Sequence, residues 1–70
     1  MKYLAVLERG ETGWGAHVPD LPGCIAVGET EDEVRELIRE AIDQHVALLL
    51  ESGQPIPPPR TRPCMVEVAG

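Results

Sequence analysis

The stretch PDLPGCIAVGETEDE, residues 19–33, joins a turn, a short strand and the start of a helix. Pro22 fixes φ at the second position of a turn, and Gly23 accepts the positive φ of the third position. This pair predicts a type II turn over Leu21 to Cys24. The apolar residues 24–27 that follow predict a short strand. The chain is therefore expected to reverse its direction here and to enter a sheet.

A long helix is predicted directly after this strand. Thr30 is a favoured N-cap, and Glu33 three residues later completes a capping box in which each side chain binds the other residue's backbone N–H. Gly53 suits the left-handed position after a helix end, which predicts a helix of about 22 residues and about 33 Å. Apolar residues recur at three- and four-residue steps, as in a helix that covers a sheet: Val34, Leu37, Ile38, Ala41, Ile42, His45, Leu48 and Leu49.

Two further strands are predicted before the turn. Residues 2–8 have strand length and β-favouring side chains, and residues 14–18 alternate between apolar and other side chains. A turn at residues 9–13 joins them into a hairpin. Together with residues 24–27 they are expected to form a three-stranded antiparallel meander.

The C-terminal part of the chain is predicted to return to the sheet. The proline-rich residues 54–59 predict an extended polyproline segment, and Met65 to Val68 predict a last strand. The order β-β-β-α-β predicts an α+β, two-layer fold in which one long helix covers one face of an antiparallel sheet. This fold is expected to form a single domain over residues 1–70.

The other face of the sheet has no cover within the predicted fold. If Leu4, Val6 and Ile25 emerge on that face, a second copy of the chain is the expected cover. The sequence therefore predicts a homodimer or a higher homo-oligomer.

Negative charge is concentrated on the predicted helix. The chain has twelve acidic and six basic residues, and seven of the acids but only two of the bases lie between Glu29 and Asp43. Binding to nucleic acid requires clustered Lys and Arg, so we expect no direct nucleic-acid binding. The charge favours a basic protein partner, while a solvated helix face that aids solubility is the alternative.

No arrangement typical of a catalytic or metal site is visible in the sequence. Glu8, Asp20 and Glu67 fall at different strand ends, whereas two-metal nucleases need several carboxylates at one place. We therefore predict no enzyme activity, no metal and no cofactor. The histidines and cysteines lack the spacings of a zinc site: His17, His45, Cys24 and Cys64.

The two cysteines are expected to be reduced thiols, and a single bridge between Cys24 and Cys64 stays open as an alternative. The sequence shows no secretory signal and no apolar stretch of membrane-spanning length. These two features predict a cytoplasmic protein.

The ordered set of motifs resembles the HicB-like antitoxin family over almost the whole chain. It comprises a tyrosine-bearing first strand, a Gly-Trp pair in the second strand, PDLPGC, G-x-T-x-x-E and an IPxP tail. The residues that carry the resemblance are Tyr3, Ala5, Gly13, Trp14, Asp20 to Cys24, Gly28, Thr30, Glu33, Ala41, Ile56 and Pro57.

This resemblance implies a degenerate ribonuclease H-like fold and an antitoxin function. Such antitoxins cover a small basic toxin, HicA, which cleaves messenger RNA with a catalytic histidine of its own. Inhibition would then rest on occlusion and charge complementarity. Family members usually carry a further C-terminal DNA-binding module, whereas this sequence stops at Gly70, so we expect a stand-alone domain that does not repress its own operon.

Six residues are predicted to contact the partner. The helix acids are expected to steer it through the charge asymmetry, and Trp14 is open to two interpretations, an anchor of the sheet core or an interface anchor. An oligomeric domain that binds a different protein partner or a small ligand is the alternative function. The predicted contacts are Glu31, Asp32, Glu36, Glu40, Asp20 and Trp14.

Overall fold

The computed structural model describes residues 1–70 and contains one three-stranded sheet and one helix. The antiparallel sheet has the strand order β1-β2-β3, so each strand pairs with its neighbour in sequence. The predicted α+β class, the meander and the single long helix are confirmed. The bounds are β1 Val6–Arg9, β2 Trp14–His17, β3 Ile25–Gly28 and α1 Glu31–Glu51.

The turn between β2 and β3 has the predicted geometry. Gly23 has a φ of 85°, and the Cys24 N–H donates to the Leu21 carbonyl at 3.0 Å. Positive φ at the third position, closed by this hydrogen bond, is what a type II turn requires. The turn also directs the Leu21 side chain inward, where it is completely buried.

The helix has satisfied backbone groups at both ends. The Glu33 N–H donates to Thr30 Oγ1 at 3.1 Å, as predicted, but the Glu33 carboxylate accepts from the Glu29 N–H at 2.8 Å and not from Thr30. The second hydrogen bond of the capping box therefore comes from Glu29, the residue before the N-cap, and not from the N-cap itself. At the other end Gly53 has a φ of 73°, and the Gln54 N–H donates back to the Leu49 carbonyl, which forms a Schellman cap.

The core lies between the helix and one face of the sheet. The strand pairing places Leu7 opposite Ala16 and Ala16 opposite Ala26, so these residues share the face that α1 covers. Partly buried residues of the sheet and the helix pack around the core. The buried core residues are Ala16, Val18, Leu21, Cys24, Val34 and Ile38.

The helix is longer than the strands that it covers. A 21-residue helix is about 31 Å long, whereas a four-residue strand spans only about 13 Å. Leu48 is 65% exposed, although the periodicity predicted a covered position, because it lies at the margin of the buried stripe, whereas the next residue, Leu49, packs against the core. Leu37 lies at the same margin and is 36% exposed.

Residues 54–70, which follow the helix, form a segment that we call the tail. Its proline-rich part contains no helix or strand, and the Tyr3 hydroxyl donates to the Pro57 carbonyl. The predicted last strand over Met65 to Val68 is wrong for the isolated chain, because these residues pair with no strand and are exposed. The reason is the path of the tail, which is bound to the β2–β3 turn through Asp20 and not along a sheet edge.

Candidate functional site

The outward face of α1 carries a continuous row of carboxylates. Asp32, Glu36, Glu40 and Asp43 are spaced by four, four and three residues, and all four are exposed. Because an α-helix advances 100° per residue, these positions lie on the side opposite the buried residues Val34 and Ile38. We call these four residues the acidic stripe.

The acidic stripe is only weakly neutralised within the chain. Arg39 Nη1 lies 3.9 Å from Glu36 Oε2, in a pair whose two side chains are both largely exposed. No salt bridge involves Asp32, Glu40 or Asp43. Exposed pairs of this kind contribute little, so the stripe presents a net negative surface to solvent.

Glu31 and Glu33, the other acids of the first helical turn, have partners within the chain. Arg35 Nη2 lies 3.0 Å from Glu31 Oε2, and Arg35 Nε donates to the same oxygen at 3.2 Å. The Glu33 carboxylate accepts a hydrogen bond from the Glu29 N–H at the start of the helix. The structure therefore separates Glu31 from Asp32, Glu36 and Glu40, with which the sequence grouped it.

Asp20 lies at the opposite end of the sheet from the start of the helix and binds the tail. One carboxylate oxygen accepts the backbone N–H groups of Arg60 and Thr61, each at 2.9 Å, and the other accepts the Thr61 hydroxyl at 2.6 Å. The hydrogen bond from the Thr61 hydroxyl has the largest effect on the pKa of Asp20, and the bond from the Thr61 backbone N–H has the next largest. Both lower this pKa below its ordinary value of 3.8. Asp20 is thus placed to hold the tail.

Trp14 lies on the helix side of the sheet. It pairs with Arg9 on one side and Gly28 on the other, and its partly buried ring packs against the core. Neither Trp14 nor Asp20 joins the acidic stripe, so the structure brings together only three of the six predicted contacts. Asp43 is a stripe member that the prediction missed, and its spacing of three residues from Glu40 is the signal that identifies it.

The sheet face turned away from α1 is uncovered, and we call it the open face. The pairing places Val6, His17 and Ile25 in one row across it, and Glu8, Gly15 and Val27 in the next. Val6 and Ile25 thus emerge there, as the oligomer prediction required. Val27 was missed, although its position two residues after Ile25 in a strand indicates the same face.

A shallow depression of about 750 Å³ lies over the open face. Gly15 forms part of its floor, and a Cβ added there would meet no atom within 4 Å. His17 Nδ1 lies 3.9 Å from Glu8 Oε1 at the surface of this face. The depression is therefore open to solvent and contains a mixture of apolar and polar groups.

The two thiols are in different environments. Cys24 is buried in the core, and desolvation raises its pKa, whereas Cys64 is exposed in the tail. They are not bonded to each other. No three His, Cys, Asp or Glu side chains are grouped as a metal site, and α1 is too polar to cross a membrane.

Comparison with known proteins identifies relatives over most of the chain. The chain is 31% identical over 62 residues to Antitoxin HicB 2 of Photorhabdus laumondii, a match that covers 89% of this chain and 45% of that one. It is 36% identical over 58 residues to a UPF0150 protein of Thermoplasma acidophilum, covering 81% of this chain and 84% of that protein. A 14.9 kDa protein of Haemophilus phage HP1 is 35% identical over 57 residues, 81% of this chain and 43% of that protein.

The chain thus spans less than half of the phage protein and of Antitoxin HicB 2, but most of the Thermoplasma protein. The family model for the HicB-like antitoxin of bacterial toxin-antitoxin systems matches residues 3–67. This match includes all three strands, the helix and most of the tail. The chain belongs to the HicB-like antitoxin family.

Proposed function

We propose that this chain neutralises a small basic toxin of the HicA type by binding it and covering its RNA-cleaving groove. The acidic stripe is the observation that carries the proposal, because four exposed carboxylates on one helix face complement a basic surface. Membership of an antitoxin family supports a toxin as the partner. The chain would act by binding and not by catalysis, in the cytoplasm where messenger RNA is translated.

The acidic stripe would act mainly on the rate of association. Charged surfaces raise the rate of encounter with an oppositely charged partner, and salt screens this effect over about 10 Å. Of the six contacts predicted from sequence, Asp32, Glu36 and Glu40 are free to face a partner. Glu31 would first have to exchange its Arg35 partner, and Asp20 would have to release the tail.

A pair of charge reversals tests the proposal. We expect Glu36→Lys with Glu40→Lys to reduce the association rate with a co-expressed basic toxin roughly tenfold or more at low salt, and to flatten its salt dependence. The rate would be measured by stopped-flow or surface binding over a salt series. The matched control is Glu8→Lys with Glu11→Lys, which changes the net charge equally at two exposed positions of the β1–β2 hairpin, outside the helix.

Equal losses in the two double variants would show that net charge, and not the stripe, controls association. An unchanged rate in the Glu36 and Glu40 variant would contradict the proposal for the stripe. The toxin itself is identified by growth rescue, in which expression of this chain restores growth of cells that express an adjacent small basic reading frame.

The second candidate is an oligomeric domain that binds a different protein or a small ligand. The depression on the open face is the observation that favours it. Self-association is part of both candidates, because the open face leaves Ile25 and Val27 exposed. Failure of growth rescue with every adjacent basic reading frame would favour this second function.

A further inference from the structure

The outer edge of β3 has unpaired backbone groups. The Val18 N–H donates to the Cys24 carbonyl, and successive residues of an antiparallel pair direct their backbone groups alternately toward the neighbour and away from it. Ile25 and Val27 therefore direct their N–H and C=O groups outward, away from β2. Their side chains lie on the open face and are 68% and 76% exposed. Such an edge is a template for another strand.

The same chain carries a segment with the properties of a missing strand. Residues 62–70 make no hydrogen bond within the chain and are exposed throughout, with Met65 at 97%. The sequence CMVEV, residues 64–68, is rich in β-favouring side chains. Its alternation places Cys64, Val66 and Val68 on one side, which gives this segment one fully apolar face.

We propose that residues 64–68 of one copy form an additional strand on the β3 edge of a second copy, and that the exchange is reciprocal. The segment has five residues and the β3 edge has four, so their lengths match. Val66 and Val68 would lie beside Ile25 and Val27 and extend the cover of the open face. In such a two-fold dimer, the backbone groups of the β3 edge and of residues 64–68 would be paired in both copies.

A second copy fits this edge better than the segment's own sheet or a basic partner. Asp20 holds residues 60–61 at the β2–β3 turn, and the segment that follows pairs with no strand of its own sheet. The segment itself is apolar apart from Glu67, so it lacks the charge that complements a basic protein. The proposal concerns contacts between copies and does not depend on the toxin.

A proline substitution within the segment tests the exchange. Val66→Pro introduces a residue that disrupts the strand and its ladder, so the dissociation constant of the dimer should rise at least roughly tenfold. The full chain would be measured by sedimentation over a range of concentrations. Ala69→Pro, outside the segment, is the matched control and should leave the dimer intact. Helix content should be unchanged in both variants, because this part of the tail is exposed and makes no hydrogen bond within the chain.

Cysteine cross-linking identifies the two surfaces. In a chain with Cys64→Ser, the pair Val27→Cys and Val66→Cys should form a disulfide that links two copies on a non-reducing gel, while Cys24 stays buried. A disulfide within one copy would overturn the proposal, since the tail would then pair with its own sheet. A dimer unaffected by Val66→Pro, or a wild-type chain that is monomeric at every concentration, would overturn it as well.

Discussion

Leu21 occupies a tight turn and is nevertheless one of the two most deeply buried large side chains, together with Val34. The type II geometry around Pro22 and Gly23 turns the backbone outward and the Leu21 side chain inward. A turn residue thus contributes to the same cluster as the helix residues Val34 and Ile38. The turn is therefore part of the core and not a simple connection.

Truncation of Leu21 should be costly for this reason. We expect Leu21→Ala to lower the free energy of unfolding by about 2–5 kcal/mol, because it removes buried methyl groups and leaves a cavity. Leu50→Ala makes the same chemical change at a side chain that is 65% exposed, and it should stay within about 0.5 kcal/mol of the wild type. Urea unfolding of both variants measures the difference. Equal losses would show that the turn does not support the core.

Two glycines of the hairpin provide a second comparison at this scale. A Cβ on Gly13 would lie 2.6 Å from the Gly28 carbonyl oxygen, whereas a Cβ on Gly15 would meet nothing within 4 Å. Gly13→Ala should therefore destabilise the protein by about 1–3 kcal/mol, because backbone must move. Gly15→Ala should be neutral or stabilising by up to about 1 kcal/mol, since it restricts the unfolded chain. A destabilised Gly15 variant in thermal unfolding would contradict this account.

At the scale of elements, Asp20 connects the β2–β3 turn to the tail, 40 residues further along the chain. Both of its carboxylate oxygens accept hydrogen bonds from residues 60 and 61. Because these bonds favour the ionised carboxylate, the pKa of Asp20 is lower in the folded chain than in the unfolded one. The attachment is complete at a pH above the ordinary value of 3.8 and is lost as the pH falls through the lowered folded-state pKa.

Amide exchange at Arg60 and Thr61 measures this attachment directly. We expect their protection to decrease as the pH is lowered below the ordinary value of 3.8, and Asp20→Asn to reduce it several-fold at neutral pH and to remove its dependence on pH. Asp43→Asn, on the exposed side of the helix, is the control and should leave the protection unchanged. Full protection in the Asp20 variant would indicate that other contacts hold the tail.

The whole molecule is small and elongated, with extents of 48 × 27 × 16 Å, and only six of its 70 residues are buried. A core of this size gives limited stability to an isolated chain, so additional apolar burial between copies has a large relative effect. The exposed Ile25 and Val27 and the apolar residues of the tail are the surfaces that such burial would cover. Folding and self-association are therefore expected to be linked.

This linkage predicts that thermal stability depends on protein concentration. For a dimer of this size, the unfolding midpoint should rise by about 5 °C for each tenfold increase in concentration. Val66→Pro should remove most of this dependence while Ala69→Pro retains it. Calorimetry over a hundredfold concentration range, chosen to span about two such steps, provides the measurement. A midpoint that does not change with concentration in the wild type would contradict the linkage.

Features controlled by near neighbours in the chain could be predicted from the amino-acid sequence. The type II turn at Leu21 to Cys24, the N-cap at Thr30 and the Schellman end at Gly53 each depend on hydrogen bonds between residues at most five positions apart. The three strands of the sheet and the class of fold followed from the pattern of apolar residues, although the first strand was predicted at residues 2–8 and lies at Val6–Arg9. The concentration of negative charge on the helix was likewise visible in the sequence.

Which of these residues meet depends on the path of the whole chain in three dimensions. Asp20 and Thr61 are 41 residues apart, and no local pattern indicates that a predicted partner contact instead binds the tail. Leu48 lies at the margin of the buried stripe and is exposed, and the Arg35 partner separates Glu31 from the acidic stripe. The strand expected at Met65 to Val68 has β-favouring residues, but a strand also needs a neighbouring edge, and the path of the chain determines whether one is within reach.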